Sequence, residues 1–115
     1  MADADWVQND VAAALTGPDM SITVESDPRS AAHRVATERF DTAIVDMQVG
    51  SMGGMAIIRM LKDAIVSGST ADMSIVLMLD RSADSFLAGR AGADAYVVKP
   101  FTAQELRGRL AAVTG

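Results

Sequence analysis

Hydrophobic and polar residues follow two different periods along this chain, one typical of helices and the other typical of strands. Apolar residues recur at helical spacing in residues 7–15, 32–36, 58–65, 86–91 and 106–113. Between these stretches lie short apolar or alternating segments at residues 21–25, 43–45, 74–79 and 95–98. The regular alternation predicts an α/β fold, a three-layer sandwich with a mainly parallel sheet and helices on both faces.

The segments predicted to be strands differ in their environment. Residues 21–25 alternate polar and apolar side chains, which is typical of a half-exposed edge strand. Residues 43–45 are uniformly apolar, which indicates a strand with both faces covered. Asp27 followed by Pro28 predicts the start of one helix, and Thr102 with Glu105 forms a capping box that predicts the start of the last.

The composition narrows the class of protein. With 115 residues, we expect a single domain over residues 1–115 without room for an output domain. The absence of cysteine excludes disulfides and thiolate chemistry, and a net charge of −5 argues against nucleic acid as a partner. No apolar run is long enough to span a membrane and the acidic start is unlike a signal peptide, so we expect a cytoplasmic protein.

Charged side chains follow three of the predicted strands. Asp46 comes directly after residues 43–45, Asp80 after residues 74–79, and Lys99 after residues 95–98. Each alone is typical of a helix cap or a solvated loop. A parallel sheet, however, brings its carboxyl ends to one edge, where ligands bind. Carboxylates with one lysine suit a divalent cation and a phosphoryl group.

Two stretches of sequence, residues 43–55 and 89–101, resemble the receiver domain of response regulators in two-component signalling, which is CheY-like. The second stretch is the more specific, because Tyr96, Lys99, Pro100 and Phe101 all stand at family positions. The resemblance covers nearly the whole chain and implies a five-stranded flavodoxin-like fold. It also implies that Lys99 bonds the phosphoryl group, that the Lys99–Pro100 bond is cis, and that Tyr96 is the aromatic switch.

The resemblance further implies a phosphoacceptor and a metal site. Asp46 would receive a phosphoryl group from a histidine kinase or a phosphotransfer protein. Asp46, the backbone carbonyl of Gln48 and an acid near the first strand end, Asp3, would ligate Mg²⁺. Counting back from Asp46 gives Asp3 as either the first or the second acid of the family's acidic pair, and in both alignments the other acid is an alanine. We therefore expect weakened binding of Mg²⁺.

The chain departs from the family pattern at the first strand. The family has a run of aliphatic residues before its acidic pair, and here only Met1 and Ala2 precede Asp3. Three explanations remain open at this point. The central strand lies upstream, it is supplied by another chain in a strand-swapped homodimer, or the sheet is a four-stranded variant.

A second departure concerns the residue that ends the fourth strand of the family. Asp80 stands where the family has a serine or threonine that donates a hydrogen bond to the phosphoryl group. An ionised aspartate has no donor and repels a phosphoryl dianion. Ser82 is the nearby hydroxyl that can substitute for it.

Three hypotheses follow for function. The first is a single-domain response regulator in a phosphorelay, not an enzyme in the ordinary sense, which signals to an unknown downstream protein by direct contact. The second is a pseudo-receiver that acts without phosphorylation as a constitutive interaction or dimerisation module, which Asp80 and the lost acid favour. The third, a flavodoxin-like enzyme or nucleotide binder, is weak because the glycines of residues 50–54 do not form a dinucleotide fingerprint.

Overall fold

The computed structural model describes residues 1–2, 5–15, 22–47, 53–70 and 72–114 of the chain. In this part of the chain, helices and strands follow one another in the order α1 (Asp5–Leu15), α2 (Pro28–Thr37), β1 (Thr42–Asp46), α3 (Gly54–Ser67), β2 (Ser74–Leu79), α4 (Ser85–Ala91), β3 (Ala95–Val98) and α5 (Ala103–Thr114). A 3₁₀ turn, Ser82–Asp84, precedes α4. None of these helices is long and apolar enough to cross a membrane.

The three strands form one parallel sheet in the order β1-β2-β3. In its register Ile44 lies opposite Val76, and Met78 lies opposite Val97. All three strands run in the same direction, so their carboxyl ends meet at one edge. The predicted α/β fold with a parallel sheet is therefore confirmed.

Helices cover both faces of the sheet, and each face has its own hydrophobic core. On one face α3 and α4 pack against the odd-numbered residues of β1 and β2 in a cluster that includes Val45, Ile57, Ile58, Leu61, Ile75, Leu77, Leu79 and Ala88. On the other face α1 and α5 pack against the even-numbered residues of β1 and β2, and against Val97 of β3, in a cluster that includes Val7, Ala14, Leu15, Val76, Met78, Leu106 and Leu110. A strand covered on both faces is apolar at successive positions, which explains the continuous hydrophobic run of β2.

The helix boundaries follow local signals in the sequence. The Asp27 side chain accepts a hydrogen bond from the Arg29 amide at 3.0 Å and caps α2. The Thr102 hydroxyl accepts one from the Glu105 amide at 3.1 Å, so the predicted capping box begins α5. At the other ends, Gly68 and Gly92 have φ of +81° and +87° and stop α3 and α4 in the left-handed conformation that favours glycine.

The predicted edge strand at residues 21–25 is wrong for its described residues, because residues 22–27 have no regular secondary structure. The reason is the lack of a neighbouring strand among the described residues. Of these, Met1 and Ala2 alone lie between this segment and β1, and the Ala2 amide donates to the Glu25 carbonyl at 3.1 Å. Two residues cannot supply the backbone hydrogen bonds that a five-residue strand needs. Ile22 and Val24 therefore stay 38% and 47% exposed.

Met1 and Ala2 nevertheless have the placement of strand residues. The Met1 nitrogen donates to the Ile44 carbonyl at 2.7 Å, and the Asp46 amide donates to the Met1 carbonyl at 2.8 Å. The Met1 side chain packs against the α3–α4 core and Ala2 is buried in the α1–α5 core. Alternation between the two faces is the pattern of a β-strand. These two residues therefore continue the sheet beyond β1 on the side away from β2.

Candidate functional site

The carboxyl edge of the sheet brings together three of the residues singled out in the sequence. Asp46 ends β1, Asp80 follows β2 and Lys99 follows β3. The Lys99 Nζ lies 2.5 Å from Asp46 Oδ1 and 2.9 Å from Asp80 Oδ1. The side chains of Lys99 and Asp46 are only 7% and 3% exposed, whereas that of Asp80 is 45% exposed. One ammonium thus bridges a buried and a half-exposed carboxylate.

Backbone hydrogen bonds extend the ladder past the strand ends and fix this geometry. The Met47 amide donates to the Met78 carbonyl at 2.9 Å, and the Lys99 amide donates to the Leu79 carbonyl at 2.7 Å. These hydrogen bonds fix Met47 beside Asp46, Leu79 beside Asp80, and Lys99 itself. The site is therefore held by the backbone at the edge of the sheet.

The two carboxylates determine the charge state of Lys99. Burial by itself lowers the pKa of the Lys99 ammonium, but hydrogen bonds and charge interactions with Asp46 and then Asp80 outweigh burial, and the pKa is raised above its usual range. Lys99 therefore keeps its positive charge at neutral pH, which is required of a group that is to pair with an anion.

Trp6 is a further residue of this site. The centroid of its ring lies 5.7 Å from the Lys99 Nζ, within the range of a cation–π contact. Trp6 is 54% exposed, whereas the Lys99 side chain is only 7% exposed. The sequence offers only a weak signal for this role, because a tryptophan near the start of a helix is more often a packing residue.

The other site residues predicted from the sequence are not part of the contact between Asp46, Asp80 and Lys99. Tyr96 lies in β3 and is 37% exposed, and the Lys99–Pro100 peptide bond is cis. Asp3 and Gln48 lie outside the described residues. Among the residues that are described, no group of three or more histidine and acidic side chains converges on a common point.

Gly54 is required where the chain turns back against the end of β1. A Cβ atom on Gly54 would lie 2.3 Å from the Asp46 carbonyl oxygen and 2.9 Å from Met47 Cα. The Gly54 amide donates to the Met47 carbonyl at 2.9 Å, which closes the turn between β1 and α3. The sequence groups Gly54 with other glycines and does not show that Gly54 lies against the backbone of Asp46.

We expect Gly54→Ala to destabilise the fold. The atoms that a methyl group would meet are backbone atoms at the end of β1, so the cost is that of overpacking, about 1–3 kcal/mol. Gly108→Ala is the matched control, because nothing lies within 4 Å of its Cβ position and alanine favours the interior of α5. Thermal denaturation should give a lower midpoint for Gly54→Ala and an equal or higher one for Gly108→Ala. Equal midpoints for Gly54→Ala and the wild type would contradict this packing.

The family of the chain follows from comparison with known proteins. The model of the response regulator receiver domain matches residues 1–111. The chain therefore belongs to the receiver domain family of response regulators, which are signalling modules, and the resemblance seen in the sequence is confirmed.

Individual relatives agree with this assignment. The heme response regulator HssR of Staphylococcus saprophyticus is 34% identical over 92 residues, which cover 78% of this chain and 38% of that protein. The BeF₃-activated N-terminal receiver domain of Klebsiella pneumoniae RstA is 27% identical, with a TM-score of 0.81 and coverage of 98% of this chain and 93% of that one.

A third similarity concerns the fold alone. The receiver domain of a sensor histidine kinase from Pseudomonas aeruginosa, solved with a magnesium ion in its active site cleft, has a TM-score of 0.84 at 20% identity. That similarity covers 100% of this chain and 93% of the other. The chain spans about two fifths of the length of the curated relatives that it matches.

Proposed function

We propose that this receiver domain accepts a phosphoryl group on Asp46 from a histidine kinase or a phosphotransfer protein and acts in a phosphorelay. The observation that carries the proposal is the 2.5 Å contact between Asp46 and the buried Lys99 at the carboxyl edge of the sheet. An acyl phosphate on Asp46 adds negative charge to a site of low exposure, and the ammonium already stands where that charge would develop.

The chemistry at Asp46 is a displacement at phosphorus. A carboxylate oxygen of Asp46 forms the new bond to phosphorus as the bond from phosphorus to the donor's imidazole nitrogen breaks, and that imidazole leaves with the electron pair. Lys99 stays charged throughout and neutralises oxygens of the transferred group. The Trp6 ring, whose centroid lies 5.7 Å from the Lys99 Nζ, adds a cation–π contact to the ammonium.

The donor chemistry of the site fits Mg²⁺. Asp46 presents a buried carboxylate, a hard oxygen ligand of the kind that Mg²⁺ prefers. Asp46 would hold the ion together with Asp3 and the Gln48 carbonyl, and binding would be weakened by the acid that is alanine in this chain. When bound, the ion supplies positive charge to the phosphoryl oxygens.

The output of the proposed regulator is a contact with another protein. Tyr96 is partly exposed on β3, three residues before Lys99. In this proposal it is the aromatic switch that reports the state of Asp46 to a downstream protein. In this proposal the domain works in the cytoplasm through contacts with proteins, without contact to nucleic acid or membrane.

A second candidate function is supported by Asp80. Its carboxylate also holds Lys99, at 2.9 Å, and so competes with a phosphoryl group for the same ammonium. If this competition prevails, the chain is a pseudo-receiver, which keeps the fold as a constitutive interaction or dimerisation module.

Intact-mass measurement after incubation with acetyl phosphate separates the two functions. We expect the folded wild-type chain to gain the mass of one phosphoryl group with Mg²⁺ and to gain less when the ion is chelated. Circular dichroism before and after incubation establishes that the protein is folded. The absence of any mass gain in folded protein, with a well-behaved receiver phosphorylated in parallel, would favour the pseudo-receiver.

A further inference from the structure

Trp6, in the first turn of α1, packs into neither of the two hydrophobic cores. Among the described residues, neither the α3–α4 cluster nor the α1–α5 cluster includes it, and it is 54% exposed. The next residue, Val7, is fully buried in the α1–α5 core. Aromatic side chains stabilise a fold chiefly through the large area that they bury, and Trp6 leaves more than half of its surface in solvent. Core packing therefore does not account for this tryptophan.

Trp6 contacts the Lys99 ammonium instead. The ring centroid lies 5.7 Å from Nζ, and an aromatic ring attracts a cation over its face within about 6 Å, tryptophan most strongly. The chain next to the ring is fixed, because Val7 is buried and the Gln8 side chain donates to the Ala2 carbonyl at 2.6 Å. The start of α1 thus holds the ring beside the ammonium.

The groups that contact Lys99 differ in how they respond to phosphoryl transfer. In the proposed function Asp46 becomes an acyl phosphate, so its 2.5 Å contact with the ammonium is exchanged for one with phosphoryl oxygens. The Asp80 side chain, at 2.9 Å, is 45% exposed, and solvent therefore weakens its hold on the lysine. The Trp6 ring carries no charge, and its attraction for the ammonium does not depend on the state of Asp46.

A contact of this kind matters because the four-carbon stem of a lysine is flexible, and an ammonium that loses a carboxylate can rotate into water. We propose that Trp6 is a positioning residue for Lys99, whose ring keeps the ammonium at the sheet edge while its contact with Asp46 is exchanged for one with the phosphoryl group. The ring forms and breaks no bond and acts through the lysine alone. The effect on transfer rests on the proposed function, whereas the contact between ring and ammonium exists in the unmodified protein.

The spectrum of the unmodified protein tests whether the ring holds the ammonium. Lys62 and Lys99 are the only lysines of the chain, so labelling lysine with ¹³C gives separate side-chain signals for these residues alone. Lys62 lies on α3, on the opposite face of the sheet from α1, and pairs with Asp94 at 3.5 Å, so it is the internal reference. The ring current of Trp6 should displace the Hε signals of Lys99 and separate them from each other, with no such effect on Lys62.

Two substitutions of Trp6 vary the ring. Trp6→Leu removes it and keeps an apolar side chain, and Trp6→Phe keeps a ring with a weaker attraction for a cation. We expect Trp6→Leu to abolish the displacement of the Lys99 signals and to slow phosphoryl loading from acetyl phosphate with Mg²⁺ about two- to fivefold, the effect of a partly exposed cation–π contact. Trp6→Phe should lie between Trp6→Leu and the wild type in both measurements.

Phe86→Leu is the matched control. Phe86 is an aromatic residue of α4 with a similar exposure of 58%, and it is not part of the contact with Lys99. Its replacement should leave the Lys99 signals and the rate of loading as in the wild type. Circular dichroism checks that each variant is folded, which we expect because both aromatic side chains are exposed.

The outcomes separate this inference from the proposed function. Lys99 signals that do not change in Trp6→Leu would overturn the inference, since the ring would not hold the ammonium. A lost displacement with wild-type loading, or an equal slowing in Phe86→Leu, would overturn it as well, because Trp6 would then have no specific effect on transfer. No loading in the wild type would refute the proposed function instead, and the Lys99 signals in Trp6→Leu would still decide whether the ring positions the lysine.

Discussion

Asp46→Asn is expected to abolish the incorporation of a phosphoryl group from acetyl phosphate. The amide nitrogen and oxygen of asparagine are poor nucleophiles toward phosphorus, whereas the carboxylate of Asp46 is positioned at the sheet edge with Lys99 at 2.5 Å. The change is nearly isosteric, so the hydrogen bond from Lys99 can be made to the amide oxygen. Lys99 also retains Asp80 at 2.9 Å. We therefore expect a folded protein, with a loss of about 1–3 kcal/mol of stability.

Intact mass distinguishes the variant from the wild type, and Asp63→Asn is the matched control. Asp63 is an exposed acid on α3, remote from the sheet edge, so its replacement removes the same charge without touching the site. The control should be phosphorylated like the wild type. A mass gain that persists in Asp46→Asn would assign the phosphoacceptor to another residue and would refute the proposed role of Asp46.

Much of the architecture could be predicted because it depends on local patterns. The apolar run of residues 74–79 and the capping box at Thr102 each specify their element through side chains close in sequence. The meeting of Asp46, Asp80 and Lys99 was predictable for a different reason. Each directly follows a strand, and a parallel sheet aligns the ends of its strands whatever the details of packing.

Other features depend on contacts that no local pattern encodes. The alternation of residues 21–25 is a genuine strand pattern, but a strand needs a neighbour, and within the described ranges only Met1 and Ala2 lie beside this segment. Asp80 was expected to repel a phosphoryl group, and its bond to Lys99 depends on the side-chain conformation of a residue 19 positions away in sequence. The requirement for glycine at position 54 likewise depends on tertiary structure, because the start of α3 lies against the Asp46 carbonyl.

Asp80→Thr is expected to increase phosphoryl loading or lifetime by roughly tenfold. Two charges about 4 Å apart repel by roughly 4 kcal/mol at an effective dielectric near 20. Because the Asp80 side chain is 45% exposed, solvent screens this repulsion to about 1–2 kcal/mol, which corresponds to roughly a tenfold change. Threonine removes the repulsion, releases Lys99 from its second carboxylate and adds a hydroxyl donor for the phosphoryl group.

Asp80→Asn separates these contributions. Asparagine removes the negative charge and weakens the hold on Lys99, but it lacks the hydroxyl, so its loading should lie between those of the wild type and Asp80→Thr. The measurement is the time course of intact mass during incubation with acetyl phosphate and after its removal. Unchanged loading and lifetime in both variants would show that Asp80 does not act on the phosphoryl group. Phosphorylation of Asp80→Thr in the absence of wild-type phosphorylation would instead identify the Asp80–Lys99 pair as the feature that makes this chain a pseudo-receiver.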